Sequence, residues 1–144
     1  MSRTQLVWLH VSIAITALTG ALFAFMKYFM QPSDEFAVVN HPLQPWMLST
    51  HVVVAPLALF ILGWTFSNHM LPKSRFGDET GRKSGISAMW LIVPMAASGY
   101  LLQVSVDENL RQAMAIAHWI SSALFAVIYV VHLLKRVNQP GEPR

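Results

Sequence analysis

Cysteine is absent from the 144 residues, so the chain can form no disulfide, no iron–sulfur cluster and no thiolate metal site. Charged residues are also scarce, at 12%, which is about half the share found in soluble domains. The mean hydropathy is +0.45. So little polar surface argues against a soluble enzyme domain and against a disordered chain. The composition therefore indicates a membrane protein.

The apolar residues gather in four stretches, at about 6–30, 46–71, 86–106 and 112–134. The first stretch contains one charged residue, Lys27, and the other three contain none. As helices they are long enough to cross the hydrocarbon layer, which takes about 20 residues. Backbone groups in lipid must be paired within their own segment, which favours helix. The sequence therefore predicts an all-α fold, an integral membrane four-helix bundle forming one domain over residues 1–144, without an internal repeat.

Lysine and arginine are distributed unevenly around these stretches. Only Lys27 and Arg111 flank the ends on one side, and the other eight of the ten basic residues flank the opposite ends: Arg3, Lys73, Arg75, Arg82, Lys83, Lys135, Arg136 and Arg144. Because basic residues accumulate in cytoplasmic loops, we expect both termini and the 72–85 loop to be cytoplasmic. The basic excess is thus a topology signal and does not indicate nucleic-acid binding.

Five of the six histidines fall near the ends of the predicted helices. His51 and His118 are expected near the outer surface, and His10, His69 and His132 near the cytoplasmic one. The fourteen residues from His118 to His132 make nearly four turns, so both rings project from one helix face, roughly 21 Å apart along the axis. That spacing is too long for one metal ion and favours two cofactors, one near each membrane surface.

A haem held between helices by two neutral imidazoles needs histidines at the same depth on two helices. By depth, His51 matches His118 on the outer side, and His132 can pair with either His10 or His69 on the inner side. Room for the macrocycle could come from glycines within three of the helices, although ordinary close packing of membrane helices explains them equally well: Gly20, Gly63 and Gly99.

The helical rise favours His10 over His69 as the inner ligand. His69 follows His51 by eighteen residues, roughly 27 Å along a helix axis, which exceeds the roughly 21 Å between His118 and His132 by about one turn. His10 is therefore the expected partner of His132, and His69 is left for another role.

Three segments carry a resemblance to a known family: "LHVSIAITALTG", "STHVVVAPLALFILGW" and "AHWISSALFAVIYVVH". Over nearly its whole length the chain resembles the b-type cytochrome subunits of bacterial formate dehydrogenases and nickel–iron hydrogenases. The most specific motif is the fourteen-residue spacing of His118 and His132, followed by His10 with Thr-Gly nine residues later. The chain departs from the family in having Val11 after His10, where tryptophan is usual, and in being shorter than most members.

The resemblance implies two haems b, with His10 paired to His132 and His51 paired to His118. It further implies a subunit of a quinone-linked oxidoreductase complex in the bacterial inner (cytoplasmic) membrane. Electrons would pass between the quinone pool and a periplasmic dehydrogenase or cytochrome subunit. The partners expected from it are therefore that subunit, quinone and membrane lipid.

An inner quinone site is also implied, and four residues at that depth are candidates to contact the quinone or a haem propionate: His69, Asn68, Lys73 and Arg75. For Lys73 and Arg75, a role as topology-setting loop charges is the better explanation. On the outer side, the joints at 31–45 and 107–111 are expected to dock the redox partner through Asp34, Glu35, Asp107 and Glu108.

Two other functions compete with this one. Histidines within a four-helix bundle could conduct protons or a divalent metal, although metal transport usually needs acidic ligands and the four stretches contain none. The chain could instead be a membrane anchor subunit with one haem or none, like the anchors of succinate dehydrogenase.

Overall fold

A computed structural model describes residues 2–76 and 79–137, and its regular elements are all helical. They are α1 (Arg3–Phe29), α2 (Gln44–Thr65), a π-helical segment (Phe66–Met70), α3 (Leu71–Phe76), α4 (Glu79–Val104) and α5 (Glu108–Val137). The prediction of an all-α fold is confirmed for these ranges. Arg144, one of the basic residues behind the predicted orientation, lies outside them.

Four helical segments of the described ranges are long and apolar enough to cross a membrane: Arg3–Phe29, Gln44–Phe76, Arg82–Val104 and Glu108–Lys135. The four predicted helices are thus confirmed as long and apolar enough to span a membrane. The side on which the termini lie stays a prediction that rests on the distribution of lysine and arginine.

The helices begin earlier than the apolar stretches, and polar side chains cap the first turns of α1 and α5. At the start of α1, the Ser2 hydroxyl accepts from the Gln5 backbone N–H at 3.2 Å and the Gln5 side chain accepts from the Ser2 N–H at 3.0 Å. This reciprocal cap satisfies two backbone donors. At the start of α5, the Asp107 carboxylate accepts from the Leu110 N–H at 2.8 Å. Hydropathy finds the apolar span, whereas these polar caps set where the helix begins.

The second predicted helix also runs further than residue 71, where its apolar stretch ends. Its α-helical part passes through Pro56, and the chain then changes to π-helix from Phe66 to Met70 before α3 ends at Phe76. A π-helical turn takes more residues than an α-helical one. The angles and rises calculated from His51 to His69 for an ideal α-helix therefore do not hold at His69.

The chain forms two compact units, Met1–His69 and Met70–Arg144. In unit 1, α1 packs against α2, and in unit 2, α4 packs against α5. Small hydroxyl residues are buried in both units, and each donates to a carbonyl of its own helix: Ser12, Thr19, Thr65, Ser98 and Ser121. Small residues let membrane helices approach closely, so the short side chains explain the tight pairing within each unit.

Large apolar side chains lie on the outside of the helices. Trp8 and Phe60 in unit 1 and Trp90 and Val127 in unit 2 are all more than half exposed. In water such a surface would be an aggregation hazard. In a bilayer the same side chains would contact lipid, which agrees with the four candidate spans.

Candidate functional site

His51, on α2, packs directly against the backbone of α1. Its Nδ1 lies 2.9 Å from the Thr16 carbonyl oxygen and 3.4 Å from the Thr19 hydroxyl. A Cβ atom added to Gly20 would come within 2.9 Å of His51 Cε1. Only glycine therefore leaves space for the ring at this position. Thr16, Thr19, Gly20 and His51 are called the His51 site below.

His118, on α5, packs against α4 in the same way. Its Nδ1 lies 2.9 Å from the Met95 carbonyl oxygen and 3.4 Å from the Ser98 hydroxyl. A Cβ atom added to Gly99 would come within 2.9 Å of His118 Cε1. Met95, Ser98, Gly99 and His118 are called the His118 site below.

The hydroxyl groups of the two sites are also oriented alike. Thr19 donates to the carbonyls of Ile15 and Thr16, at 2.8 and 3.1 Å. Ser98 donates to the carbonyls of Pro94 and Met95, at 2.6 and 3.1 Å. Since each hydroxyl hydrogen is directed to its own helix, the oxygen offers a lone pair toward the histidine. Both polar groups facing Nδ1 are thus acceptors.

These acceptors determine the protonation of the two rings. A carbonyl oxygen can only accept, so Nδ1 of His51 and of His118 must carry the hydrogen that it donates. In a neutral imidazole the lone pair is then on Nε2. Histidines that ligate metals through one nitrogen commonly donate the other N–H to a backbone carbonyl or a similar acceptor. Both rings are therefore prepared to ligate a metal through Nε2.

His132, also on α5, has a related environment further along α4. Its Nδ1 lies 3.0 Å from the Ser84 hydroxyl, and a Cβ added to Gly85 would be 3.5 Å from His132 Cε1, an ordinary contact distance. Gly85 and Gly99 are fourteen residues apart, as are His118 and His132. The two antiparallel helices thus keep one register, which sets each histidine against a Ser-Gly pair. Ser84, Gly85 and His132 are called the His132 site below.

His10 and His69 lie in unit 1 on either side of the depth predicted for an inner ligand. Gly20 marks the level of His51 on α1, and His10 is ten residues from it, roughly 15 Å along the axis. His69 is eighteen residues from His51, less than 27 Å away because part of the path is π-helical. Both rings are half-buried and in contact with other groups. The roughly 21 Å calculated for the fourteen residues from His118 to His132 falls between the two values, so depth alone does not separate His10 from His69.

The four candidates for quinone or propionate contact lie at the end of this helical stretch. His69 and Asn68 belong to the π-helical segment, and the Ser67 hydroxyl donates to the Asn68 side chain at 3.4 Å. Lys73 and Arg75 belong to α3 in unit 2. π-Helical segments occur frequently at functional sites. The assignment of these four residues stays a prediction.

His41, in the loop before α2, has the opposite ring arrangement. Its Nδ1 accepts from the Leu43 backbone N–H at 3.1 Å, so in the neutral ring the hydrogen must be on Nε2. His41 is therefore held as a loop-stabilising acceptor and serves below as a control for the histidines that donate through Nδ1.

The glycines predicted to make room for a macrocycle differ in their surroundings. A histidine ring occupies the space beside Gly20 and beside Gly99, whereas a Cβ added to Gly63 would meet nothing within 4 Å. Gly63 lines an open groove with its neighbours Phe60 and Trp64.

Three acidic residues of the joints at 31–45 and 107–111 have structural roles besides their charge. The Asp34 carboxylate accepts from the Phe36 N–H at 2.8 Å, as Asp107 does from Leu110. Glu108 forms an exposed ion pair with Arg111, at 3.6 Å. Their predicted part in docking a partner stays a prediction.

Sequence reasoning missed the residues that hold the rings, namely Ser84, Gly85, Ser98 and the carbonyls of Thr16 and Met95. A signal for the serines was available. Ser-Gly occurs at 84–85 and again at 98–99, with the same fourteen-residue spacing as the two histidines of α5. The carbonyls could not be found from sequence, because every residue has one.

Comparison of the chain with protein-family models, with curated proteins and with solved structures gives no match. The fold and spans define a four-helix protein with four candidate membrane spans. Within the described ranges, no three His, Asp or Glu side chains come together in a group that could hold a metal ion.

Proposed function

We propose that this chain is the membrane-embedded b-type cytochrome subunit of a quinone-linked oxidoreductase complex. It binds two haems b and transfers electrons between a periplasmic redox partner and the quinone pool. The observation that carries the proposal is the matched hydrogen bonding of His51 and His118, whose Nδ1 atoms each face a backbone carbonyl at 2.9 Å.

The donor set fits haem. Bis-histidine ligation needs neutral imidazoles with the Nε2 lone pair directed to iron, and the tautomer of both rings meets that need. A histidine with a purely structural role requires only hydrogen-bond partners for its ring nitrogens. Such a histidine has no reason to face a glycine that a single added carbon would make too crowded, yet His51 and His118 both do.

The outer pair is assigned from the depths expected from the sequence, and the inner pair from the family resemblance. His51 and His118 hold the outer haem, and His10 and His132 hold the inner one. When bound, haem supplies reversible one-electron chemistry at iron. The chain itself orients His51, His118 and His132 through Thr16, Met95 and Ser84, respectively.

The remaining assignments are the orientation in the membrane and the residues that act near the cytoplasmic surface. Both termini lie in the cytoplasm, as the positive-inside rule indicates, and the membrane is the bacterial inner membrane. On the cytoplasmic side, quinone or a haem propionate contacts His69, Asn68, Lys73 and Arg75. A neutral imidazole near the interface can pass a proton at physiological pH, which suits His69 for quinone chemistry.

The test is haem quantitation on the chain purified in mild detergent, with a reduced-minus-oxidised visible spectrum. The proposal expects two haems b per chain with the spectrum of bis-histidine ligation. One haem or none would support a membrane anchor subunit instead. Haem-free protein that conducts protons or metal ions in proteoliposomes would support the channel. Identifying the subunits that co-purify with the chain tests the predicted partner.

A further inference from the structure

Lys27 is the one charged residue in the four predicted apolar stretches. It lies in the last turn of α1, and its side chain is exposed. Basic residues accumulate on the cytoplasmic side of membrane proteins, whereas the sequence assigns Lys27 to the opposite side. A charge placed in a membrane span against that rule is by default a candidate for a functional role.

Lys27 lies on the face of α1 that carries the His51 site. Seven residues separate it from Gly20, against which the His51 ring packs. Seven residues make nearly two helical turns and roughly 10 Å along the axis. Lys27 is therefore two turns further toward the end of α1 than the His51 ring, on the same side of the helix.

The Lys27 ammonium contacts aromatic rings. Its Nζ is 5.8 Å from the centre of the Phe23 ring and 5.4 Å from that of the Tyr28 ring, within the range of cation–π contacts. Among the residues that the structure describes, no carboxylate forms an ion pair with it. The rings hold the ammonium without neutralising its charge, so an anionic group of a ligand can still pair with it.

Unit 2 has a cation at the corresponding position. Arg111 precedes His118 by seven residues on α5, so it also lies nearly two turns from its histidine, on the same helix face. It forms an ion pair with Glu108 at 3.6 Å, and both side chains are at least half exposed. Exposed pairs are weak, and a guanidinium has five N–H donors. Arg111 therefore keeps donors for a second carboxylate.

We propose that Lys27 and Arg111 each pair with one propionate of the outer haem. The inference rests on the proposed function, which makes His51 and His118 the ligands of that haem. A haem carries two propionates on one edge of its ring, and the chain has one cation two turns beyond each histidine site. A carboxylate at membrane depth needs such a partner, because an unpaired charge there is costly. The pairing also explains why these two basic residues flank the outer side.

The experiment compares wild type with Lys27→Met, Lys27→Arg, Arg111→Met and the double variant Lys27→Met/Arg111→Met. Arg3→Met is the matched control, because it removes an exposed basic residue from the other end of α1. The Asn40 side chain donates to the Lys27 backbone carbonyl at 2.8 Å, and that acceptor remains when the side chain is changed.

Each protein is loaded with haem b or with its dimethyl ester, whose propionates carry no charge. The rate of haem transfer to apomyoglobin is measured for both forms, and the outer haem is identified as the one lost in His51→Ala. The ratio of the two rates isolates the effect of the propionate charge. Spectroelectrochemical titration gives the midpoint potentials, and retention of the inner haem reports correct folding.

Lys27→Met is expected to release the outer haem b about two- to fivefold faster, as for the loss of one exposed ion pair, with no change for the ester. Arg111→Met should behave alike, and the double variant should lose most of the preference for haem b over its ester. Lys27→Arg and Arg3→Met should match wild type. Because a nearby positive charge favours the reduced iron, the midpoint potential of the outer haem should fall in Lys27→Met.

Wild-type release of haem b from both Lys27→Met and Arg111→Met, with two haems bound, would overturn the propionate pairing and leave the proposed function standing. Equal acceleration for haem b and for its ester would also overturn the pairing, and would indicate that the two cations contact lipid phosphate instead. A wild-type chain without haem would overturn both proposals.

Discussion

Units 1 and 2 use the same local design but repeat it a different number of times. Each pairs two helices and sets a histidine against a glycine, a hydroxyl and a backbone carbonyl, with nearly identical distances at His51 and His118. In unit 2 a histidine again faces a hydroxyl and a glycine fourteen residues later, at His132. In unit 1 the residue fourteen positions after His51 is Thr65, which is fully buried and donates to its own helix.

The two units therefore differ in the number of histidines that they can offer as ligands. Unit 2 carries two histidines on one helix face, whereas unit 1 carries one on α2 and has no second histidine at the corresponding position. If the chain binds two haems, the second ligand from unit 1 must come from a position that breaks the repeat. His10 and His69 are the candidates. His10 is ten residues from Gly20, which is less than the fourteen-residue spacing, and His69 is eighteen residues from His51, which is more.

The largest expected effect is on haem content when His10, the proposed second ligand from unit 1, is replaced. His10→Ala should lose the inner haem entirely, because the family resemblance pairs His10 with His132. His69→Ala should keep both haems and slow quinone turnover. Haem content of both variants and quinone reductase activity of the second are the measurements. Loss of the inner haem in His69→Ala, with its retention in His10→Ala, would reverse the assignment.

A smaller effect is expected from filling the glycine positions. In Gly20→Ala and Gly99→Ala the new Cβ would lie 2.9 Å from a histidine ring atom, so each ring must shift, at a cost of about 1–3 kcal/mol. Gly85→Ala should cost less because its contact is 3.5 Å. Haem affinity and thermal unfolding measure both effects.

Gly63→Ala is the matched control for these substitutions. It has room for the added carbon, and replacing glycine by alanine within a helix favours the helix by roughly 0.5–1 kcal/mol. Thermal unfolding should therefore show equal or higher stability. A destabilisation as large as that of Gly20→Ala would mean that helical glycines matter here for a reason other than the histidine rings.

The smallest expected effect is at the outer joints. Glu35→Lys with Glu108→Lys should slow association with the redox partner a few-fold at low salt, because exposed charges act mainly on the association rate. Asp34 and Asp107 are left intact, since each caps a backbone N–H. Association is followed by stopped-flow electron transfer across a salt series. Equal rates for wild type and variant at low salt would remove these residues from the docking surface.

The helices and spans could be predicted from the sequence because long uncharged stretches have few other structures available in a membrane. His51 and His118 could also be chosen from the sequence as candidate ligands, because histidines in apolar helices are rare and their spacing is informative. The repeated design was missed because only short Thr-Gly and Ser-Gly signals mark it. The π-helical segment Phe66–Met70 depends on backbone hydrogen bonding that its residue types do not predict.

The most direct test of the account is redox-titrated spectroscopy of His51→Ala and His118→Ala beside His41→Ala. We expect His51→Ala and His118→Ala each to lose the same haem, with the other haem and its potential largely retained. His41→Ala should keep both, because its Nδ1 accepts a loop N–H and its tautomer is the opposite one. Loss of different haems in His51→Ala and His118→Ala, or of no haem in either, would contradict the proposal that His51 and His118 ligate one haem.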